Sequence, residues 1–453
     1  MDFKKVFNKF FTIENREQYD FSLPENYNEN KISTNDQDKT MEPKSIFPSI
    51  ELNLEYIKTR YNSLINSDIV IREFSLSARN RQYNAFLLFI DGMVDTDLVN
   101  NYVLKPLMLR NDANTYEGNE DRIISEAKTN NITVRKVKKF NILDYISSCL
   151  IPQNSLSQSS TFDEIISGIN SGNCALFIDT LNVAFNIEVK GFKQRSVESP
   201  KNEIVIKGPH EAFVENIRTN TSLLRRIINN EGLIIQNIEV GNITKTKCAI
   251  CYIKDIANSD LVSEVEYRIN NLQVDSILSA GELEQLIVDS NDLGLPKVLS
   301  TERPDTASRH LLQGRVIIIV NGTPFALIVP ATLTDFLSTP EDINLKPAYS
   351  NFLKGIRLLG AIITLLLPGV YVAITSFHQE IFPTELLFSI LSARENVPFP
   401  IILEILLMEI SFELIREASL RVPSPIGSTI GIVGALVIGE AAVSASIVIP
   451  TLI

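Results

Sequence analysis

The sequence predicts an α/β cytosolic region of two subdomains followed by an α-helical transmembrane domain. Three observations carry that prediction. Charge is dense over the first 357 residues, with 39 basic and 46 acidic side chains, and sparse from Leu358 on, with three basic and eight acidic. Apolar segments of the first part alternate between strand-like and helix-like spacing. Leu358 to Phe377 is 20 residues without a formal charge, and at about 1.5 Å per residue it would span about 30 Å, one hydrocarbon core. The net charge of −12 argues against a general nucleic-acid binder, which needs a basic face to meet phosphates.

Residues 1–45 read as a polar leader. Met1 to Phe11 mixes apolar residues with Lys4, Lys5 and Lys9 and has no small-residue cleavage site, so it is not a signal peptide. Asn15 to Lys44 holds few aliphatics and buries too little to offset ordering. The first α/β subdomain is expected over 46–193. It has a helix over Glu51–Ile65, strands at Asp68–Phe74 and Tyr83–Ile90, and a turn at Asp91-Gly92. Helices follow at Leu98–Met108, Ile142–Leu150 and Thr161–Ser171, then strands at Cys174–Ile178 and Val183–Val189.

Gln194–Pro200 is polar and is expected to link to a second subdomain, 194–345. There Glu203–Ile206 reads as a strand, Gly208-Pro209 as a turn and Glu211–Ile228 as a helix. Strands Ile234–Val240 and Thr244–Ile253 precede helices Leu261–Asn271, with Val262, Val265 and Ile269 on one face, and Gly281–Val288. The subdomain ends in Arg315–Val320, Asn321-Gly322 and Thr323–Val329. Asn-Gly tolerates the positive φ of a type I′ turn, so this is a hairpin, with Pro324 at an edge or near its strand's start. Cys248 and Cys251 have CxxC spacing inside a strand, where they point to opposite faces. Two small strand residues is the reading there, rather than a metal or redox pair.

The membrane domain is expected over 346–453, with spans 358–377, 399–415 and 426–450 and a short interfacial helix at Thr384–Ala393. Lys346, Lys354 and Arg357 precede the first span and place the N-terminal region in the cytoplasm. Pro368 and Gly369 lie inside that span, a tolerated kink, and His378 closes it. The second span and its exit carry Glu404, Glu409, Glu413 and Glu417. The last three share one helix stripe, and Glu440 sits in the third span. Intramembrane carboxylates face a bundle interior or water. Glu409, Glu413 and Glu440 are therefore candidates for an acidic cation path when copies assemble. The other reading is that Glu413 and Glu417 lie at the interface, pair with Arg416 or Arg421, and only pack the bundle.

The motifs Thr301-Glu-Arg-Pro-Asp305, His310 to Val316, Gly322 to Pro330, Leu367 to His378, Val397 to Pro400, Glu409 to Glu417, Pro423 to Gly427 and Gly431 to Gly439 resemble the A subunit of bacterial spore germinant receptors, the GerA family. Lys207 to Asn216 matches too. The likeness is dense from about Glu198 to Ile453 and weaker from Leu54 to Lys193. It singles out Arg303, Pro304, Gly314, Arg315, Gly322 and Pro324 as family-motif positions. It implies a multi-pass subunit of the spore inner membrane that responds to nutrients and starts ion release. Such a subunit works as a homo-oligomer with an integral-membrane B subunit and a lipoprotein C subunit, and needs no cofactor or metal. Nutrient binding is usually assigned to the B subunit, so no pocket carries over. Glu440 stands where a Gln is expected and Asn321 where an Asp is expected. The ending at Pro450–Ile453 inside a hydrophobic run is expected to be an early stop or a fragment.

An enzyme is disfavoured: His210, His310 and His378 lie far apart, and no GxSxG, P-loop or HExxH occurs. Lys207-Gly-Pro-His210 before a helix could hold an anion or be an ordinary junction. His378 near Glu380 is either interfacial or a gating group. A non-conducting scaffold or relay subunit and a transporter component remain the alternatives to a channel.

Overall fold

A computed structural model describes residues 44–78, 81–109, 142–191, 199–288, 296–395, 397–420 and 426–448. The expected leader, up to residue 43, and most of the expected linker Gln194–Pro200 lie outside the described residues. The chain divides into two compact units, Met1–Lys346 and Pro347–Ile453.

The first unit contains two lobes, each a five-stranded sheet with helices on both faces. Lobe 1 runs α1 (Ile50–Arg60), β1 (Ile69–Ala78), β2 (Arg81–Ile90), a helical run α2 built from Thr96–Leu98, Val99–Leu104 and Lys105–Leu109, then α3 (Ile142–Tyr145 continuing as Ile146–Leu150), β3 (Leu156–Ser159), α4 (Phe162–Asn170), β4 (Cys174–Ile178) and β5 (Ala184–Ile187). Lobe 2 runs α5 (Ile217–Ile227), β6 (Leu233–Val240), β7 (Thr246–Ile253), α6 (Ser259–Asn270), α7 (Ala280–Ile287), β8 (Leu299–Thr301), α8 (Pro304–Leu312), β9 (Val316–Val320) and β10 (Ala326–Val329). The sheet orders are β1-β2-β4-β5-β3 and β6-β7-β9-β10-β8, with every pairing antiparallel. Alternation along the strands sends side chains to two cores per sheet. Cys248 joins Val262, Val265 and Ile269 on one face of the lobe 2 sheet, and Cys251 joins Leu224 and Leu311 on the other. Burial pushes both thiols up to about 12, which fits two inert strand residues.

The two lobes are copies of one design. From α4 to β5, adding 142 to a lobe 1 number gives the lobe 2 bounds: Phe162–Asn170 becomes Pro304–Leu312, and Ala184–Ile187 becomes Ala326–Val329. For α1 and α5 the shift is 167. Hydrogen bonds repeat at those shifts. Asn53 clamps the backbone of Phe47, accepting at 2.9 Å and donating at 2.7 Å. Asn220 clamps Val214 likewise, at 2.8 and 2.6 Å. Asp179 accepts from the Ile50 N–H at 3.3 Å, and Asn321 from the Ile217 N–H at 3.2 Å.

Three sequence expectations change. Glu203–Ile206 is not a strand. The N–H groups of Asn202 and Glu203 donate to Glu302 Oε1, and that of Ile206 donates to Glu341, so side chains consume the donors a ladder needs. The helix expected from Glu211 begins at Ile217, because Asn216 caps it there and the Asn220 clamp holds the preceding backbone extended. The Asn321-Gly322 hairpin exists, but its connection is five residues, Asn321 to Phe325, between β9 and β10. Only Gly322 in it has positive φ, +94°. Pro324 sits near the start of its strand, as the second of the two expectations had it, and β10 lies inside the sheet between β9 and β8.

After β10, α9 (Leu333–Phe336) and a 3-10 turn at Pro340–Ile343 complete the first unit. The second unit is helical: α10 (Pro347–Phe377), α11 (Thr384–Arg394), α12 (Ile401–Leu420) and α13 (Ile426–Ser444). Among the described residues α10 alone is long and apolar enough to cross a membrane. Pro368 lies inside it. α12 and α13 pack together, and a Cβ on Gly434 would stand 3.4 Å from Ile415 Cγ2, the close approach that small residues allow.

Candidate functional site: the cleft between the lobes

The two lobes are joined along a buried polar seam. Arg225 of α5 donates from Nε to Asp68 Oδ2 at 2.7 Å and from Nη2 to Asp68 Oδ1 at 2.9 Å and Asn66 Oδ1 at 3.0 Å. The side chains of Arg225 and Asp68 are 2% and 8% exposed. Asn66 also accepts from the Ile235 N–H and donates to Leu233 O, and the Ser67 N–H donates to Ile235 O at 2.9 Å. The segment before β1 therefore lies along the edge strand β6. Beside it the Tyr61 hydroxyl donates to Asn170, which donates to Glu231, and Arg60 pairs with Glu231 at 2.6 Å. Burial, then the Glu231 charge, holds the Tyr61 hydroxyl protonated far above its usual range.

Next to the seam the lobes part around a cavity of about 520 Å³. One wall is the loop between β2 and α2, with Gly92, Asp95, Thr96 and Asp97. The other is α5, with Arg218 and Ser222 in its first half and Arg226 in its last turn, together with Asn216 and Glu211 before it. Asp95 caps α2, accepting from the N–H groups of Asp97 and Leu98 at 2.9 and 3.2 Å. Asn216 caps α5 through Arg218 and Thr219. Gly92 has φ +86°, and a Cβ there would meet Ser222 Oγ at 2.3 Å. A side chain would push the walls apart, so glycine sets their approach. Arg218 pairs with Asp91 across the cleft, and Arg226 pairs with Glu211 on the same wall.

Such a cleft has a definite chemistry. Arg218 and Arg226 bring two guanidinium groups to the cleft, paired with Asp91 and Glu211, and a ligand carboxylate would compete for them. Asp95 and Asp97, opposite, favour a cation. The described residues hold no group of three metal-ligating side chains. The cleft is the candidate site for a small molecule carrying both signs of charge.

The sequence reading marked Asp91-Gly92 as a turn and Glu211–Ile228 as a helix, yet carried no pocket over. Neither segment signals the other, and only the fold brings them together. Because α5 starts at Ile217, Lys207 to His210 does not sit at a helix N-terminus. The helix N-terminus is at Asn216, whose side chain caps it.

The family-motif positions serve lobe 2 itself. Arg303 is fully buried and donates to Asp305 and to the backbone oxygens of Glu203 and Pro209. Pro304 takes the first turn of α8. Gly314, at φ +83°, passes 2.8 Å from Ile256 O at its Cβ position. Arg315 pairs with Asp335 at 2.6 Å. In the helical unit Glu409, Glu413 and Glu440 are exposed on the chain's surface, whereas Glu404, apart from the stripe, is buried. Glu413 pairs with Arg416 one turn on. His378 follows α10 and is exposed, and a Cβ on Gly369 would meet nothing within 4 Å.

The family model described as "Bacillus/Clostridium GerA spore germination protein" matches residues 55–453. Spore germination protein KA of Bacillus subtilis (strain 168) is 34% identical over 417 residues, 92% of this chain and 72% of that protein. Spore germination protein B1 of the same organism is 37% identical over 399 residues, 88% of this chain and 77% of that one. The crystal structure of the N-terminal domain of the A subunit of the Bacillus megaterium spore germinant receptor GerK3 aligns with a TM-score of 0.44 and 31% identity, covering 64% of this chain and 98% of that one. The chain belongs to the GerA family of spore germination proteins.

Proposed function

We propose that this GerA-family chain is the A-type subunit of a nutrient receptor in the spore inner membrane, and that its inter-lobe cleft takes the nutrient. The observation that carries the reading is the cleft itself. Arginines on α5 face aspartates on the β2–α2 loop, beside the buried Arg225–Asp68 seam. A free α-amino acid carries both charges such walls select. Its binding would favour one lobe arrangement over another, and only that differential affinity can move an equilibrium.

The receptor is proposed to be a homo-oligomer with an integral-membrane B subunit and a lipoprotein C subunit. α10 and further spans, held in lipid, carry the signal to a cation path lined by Glu409, Glu413 and Glu440. His378, Pro368 and Gly369 act at its gate. The chain performs no catalysis in this reading. Pairing of Glu413 with Arg416 favours a second reading, a relay subunit that conducts nothing itself.

One experiment tests both. The chain is reconstituted with its B and C subunits in potassium-loaded vesicles and challenged with single L-amino acids. Nutrient-triggered efflux that falls at least about tenfold in Arg226→Ala supports the cleft. Efflux that also changes selectivity in Glu409→Gln, Glu413→Gln or Glu440→Gln supports the path. Unchanged selectivity in all three assigns conduction to another subunit.

A further inference from the structure

The motif Lys207-Gly-Pro-His210 caps no helix, yet its backbone is tied down. Residues 199–213 run along lobe 2 without joining its sheet, and side chains hold them there as a strap. Buried Arg303 donates to Glu203 O at 3.1 Å and to Pro209 O at 2.9 Å. Between those two points the Ile206 N–H donates to Glu341 Oε2 at 2.8 Å, and Asn344 Nδ2 donates to Lys207 O. Gly208 has φ +147°, and a Cβ there would stand 2.8 Å from Asn344 Nδ2, so glycine permits that approach. Glu341 lies in the 3-10 turn before α10, and Asn344 ends that turn.

The other end of the strap reaches the cleft. Glu211 follows His210 directly, lines the cleft wall and pairs with Arg226. Both side chains keep surface in water, 44% for Glu211 and 31% for Arg226, so the pair is weak and open to exchange. From Ile206 to His210 every residue is exposed. Hydrogen bonds rather than packing therefore hold that stretch on the turn. Beyond Glu211 the buried Ala212 and Phe213 anchor the strap, and the Phe213 N–H donates to Glu302 O at 2.7 Å. Arg226 is thus met by a carboxylate of its own chain, at the place where the cleft would receive a ligand's carboxylate.

We propose that Glu211 is the cleft's built-in stand-in for the ligand carboxylate, and that a ligand on Arg226 displaces it and loosens the strap from the turn before α10. The proposal rests on the cleft reading and supplies its regulation. Two arrangements compete for one guanidinium. In the first, Glu211 holds Arg226 and the strap lies on the turn. In the second, the ligand holds Arg226 and Glu211 returns to water. A ligand that fits only the second shifts the population toward it, and the strap then reports cleft occupancy to the segment that enters α10.

The test uses the full chain in lipid nanodiscs, titrated calorimetrically with each L-amino acid. Hydrogen exchange is followed at the Ile206 amide, whose bond to Glu341 reports the strap. Removing the stand-in should help the ligand. Glu211→Gln is expected to bind about threefold tighter or more, the worth of a partly exposed ion pair, whereas Arg226→Ala weakens binding. Because Glu211 is partly exposed, its substitution keeps the fold. Saturating amino acid should speed Ile206 exchange about threefold or more in the natural chain, and in Glu211→Gln that exchange should be fast before any ligand is added. Binding no tighter in Glu211→Gln overturns the proposal and leaves the cleft reading standing. So does Ile206 exchange that the ligand does not change. Absence of binding by every amino acid, to the natural chain and to Glu211→Gln alike, ends the cleft reading and the proposal with it.

Discussion

Lobe 1 and lobe 2 share element order, sheet order and backbone clamps, yet differ where they meet. Arg225 and Arg218 of α5 correspond to Lys58 and Glu51 of α1, and Asp91 after β2 corresponds to Lys254 after β7. The clamps Asn53 and Asn220 are kept because they hold each fold. The seam and cleft residues are free to diverge because only one arrangement of two lobes needs them. Shared residues therefore report architecture, and divergent ones report what the pair of lobes does together.

Breaking the seam should have the largest effect. Arg225→Leu strands the buried Asp68 carboxylate and should cost about 3–5 kcal/mol in urea unfolding followed by circular dichroism. Lys58→Leu, its exposed counterpart, should change stability by less than about 0.5 kcal/mol. Similar losses from both would end the comparison. Asn53→Ala and Asn220→Ala should each cost about 1–3 kcal/mol, since each leaves a backbone N–H and C=O without their partner. A difference between the two beyond that range would mean the clamps are not equivalent.

A smaller effect separates the lobes by pH. His310 of lobe 2 stands where lobe 1 has Gly168. Burial, then the Arg315 charge, lowers its pKa below the ordinary 6.5. The unfolded chain then binds the proton first as pH falls, so His310's contribution is full above about 6.5 and is lost as pH drops through the lowered value. Stability measured from pH 7.5 to 5 should fall less in His310→Gln than in the natural chain. Equal pH dependence would contradict this. The cleft itself should matter little to stability. Arg218→Ala removes a half-exposed ion pair with Asp91 and should cost less than about 1 kcal/mol.

Most elements were legible because their signals are local. Val316–Val320 and Cys174–Ile178 are β-rich runs, and Val262, Val265 and Ile269 repeat at helical spacing. The duplication was not legible, since it resides in bonds between residues far apart in sequence, such as Ile50 to Asp179 and Ile217 to Asn321. Glu203–Ile206 misled because its apolar alternation is real while its backbone donors go to Glu302 and Glu341. The cleft escaped because Asp97 and Arg226 are ordinary surface residues until two lobes place them face to face. The acidic stripe was legible as a pattern, but a lone chain leaves Glu409, Glu413 and Glu440 on its surface.

The most direct measurement is calorimetric titration of the full chain in lipid nanodiscs with each L-amino acid. The cleft account predicts saturable binding of at least one of them, weakened tenfold or more by Arg226→Ala and by Asp97→Asn, and unaltered by Lys58→Ala. Binding that survives both cleft substitutions, or no binding by any amino acid, would contradict it.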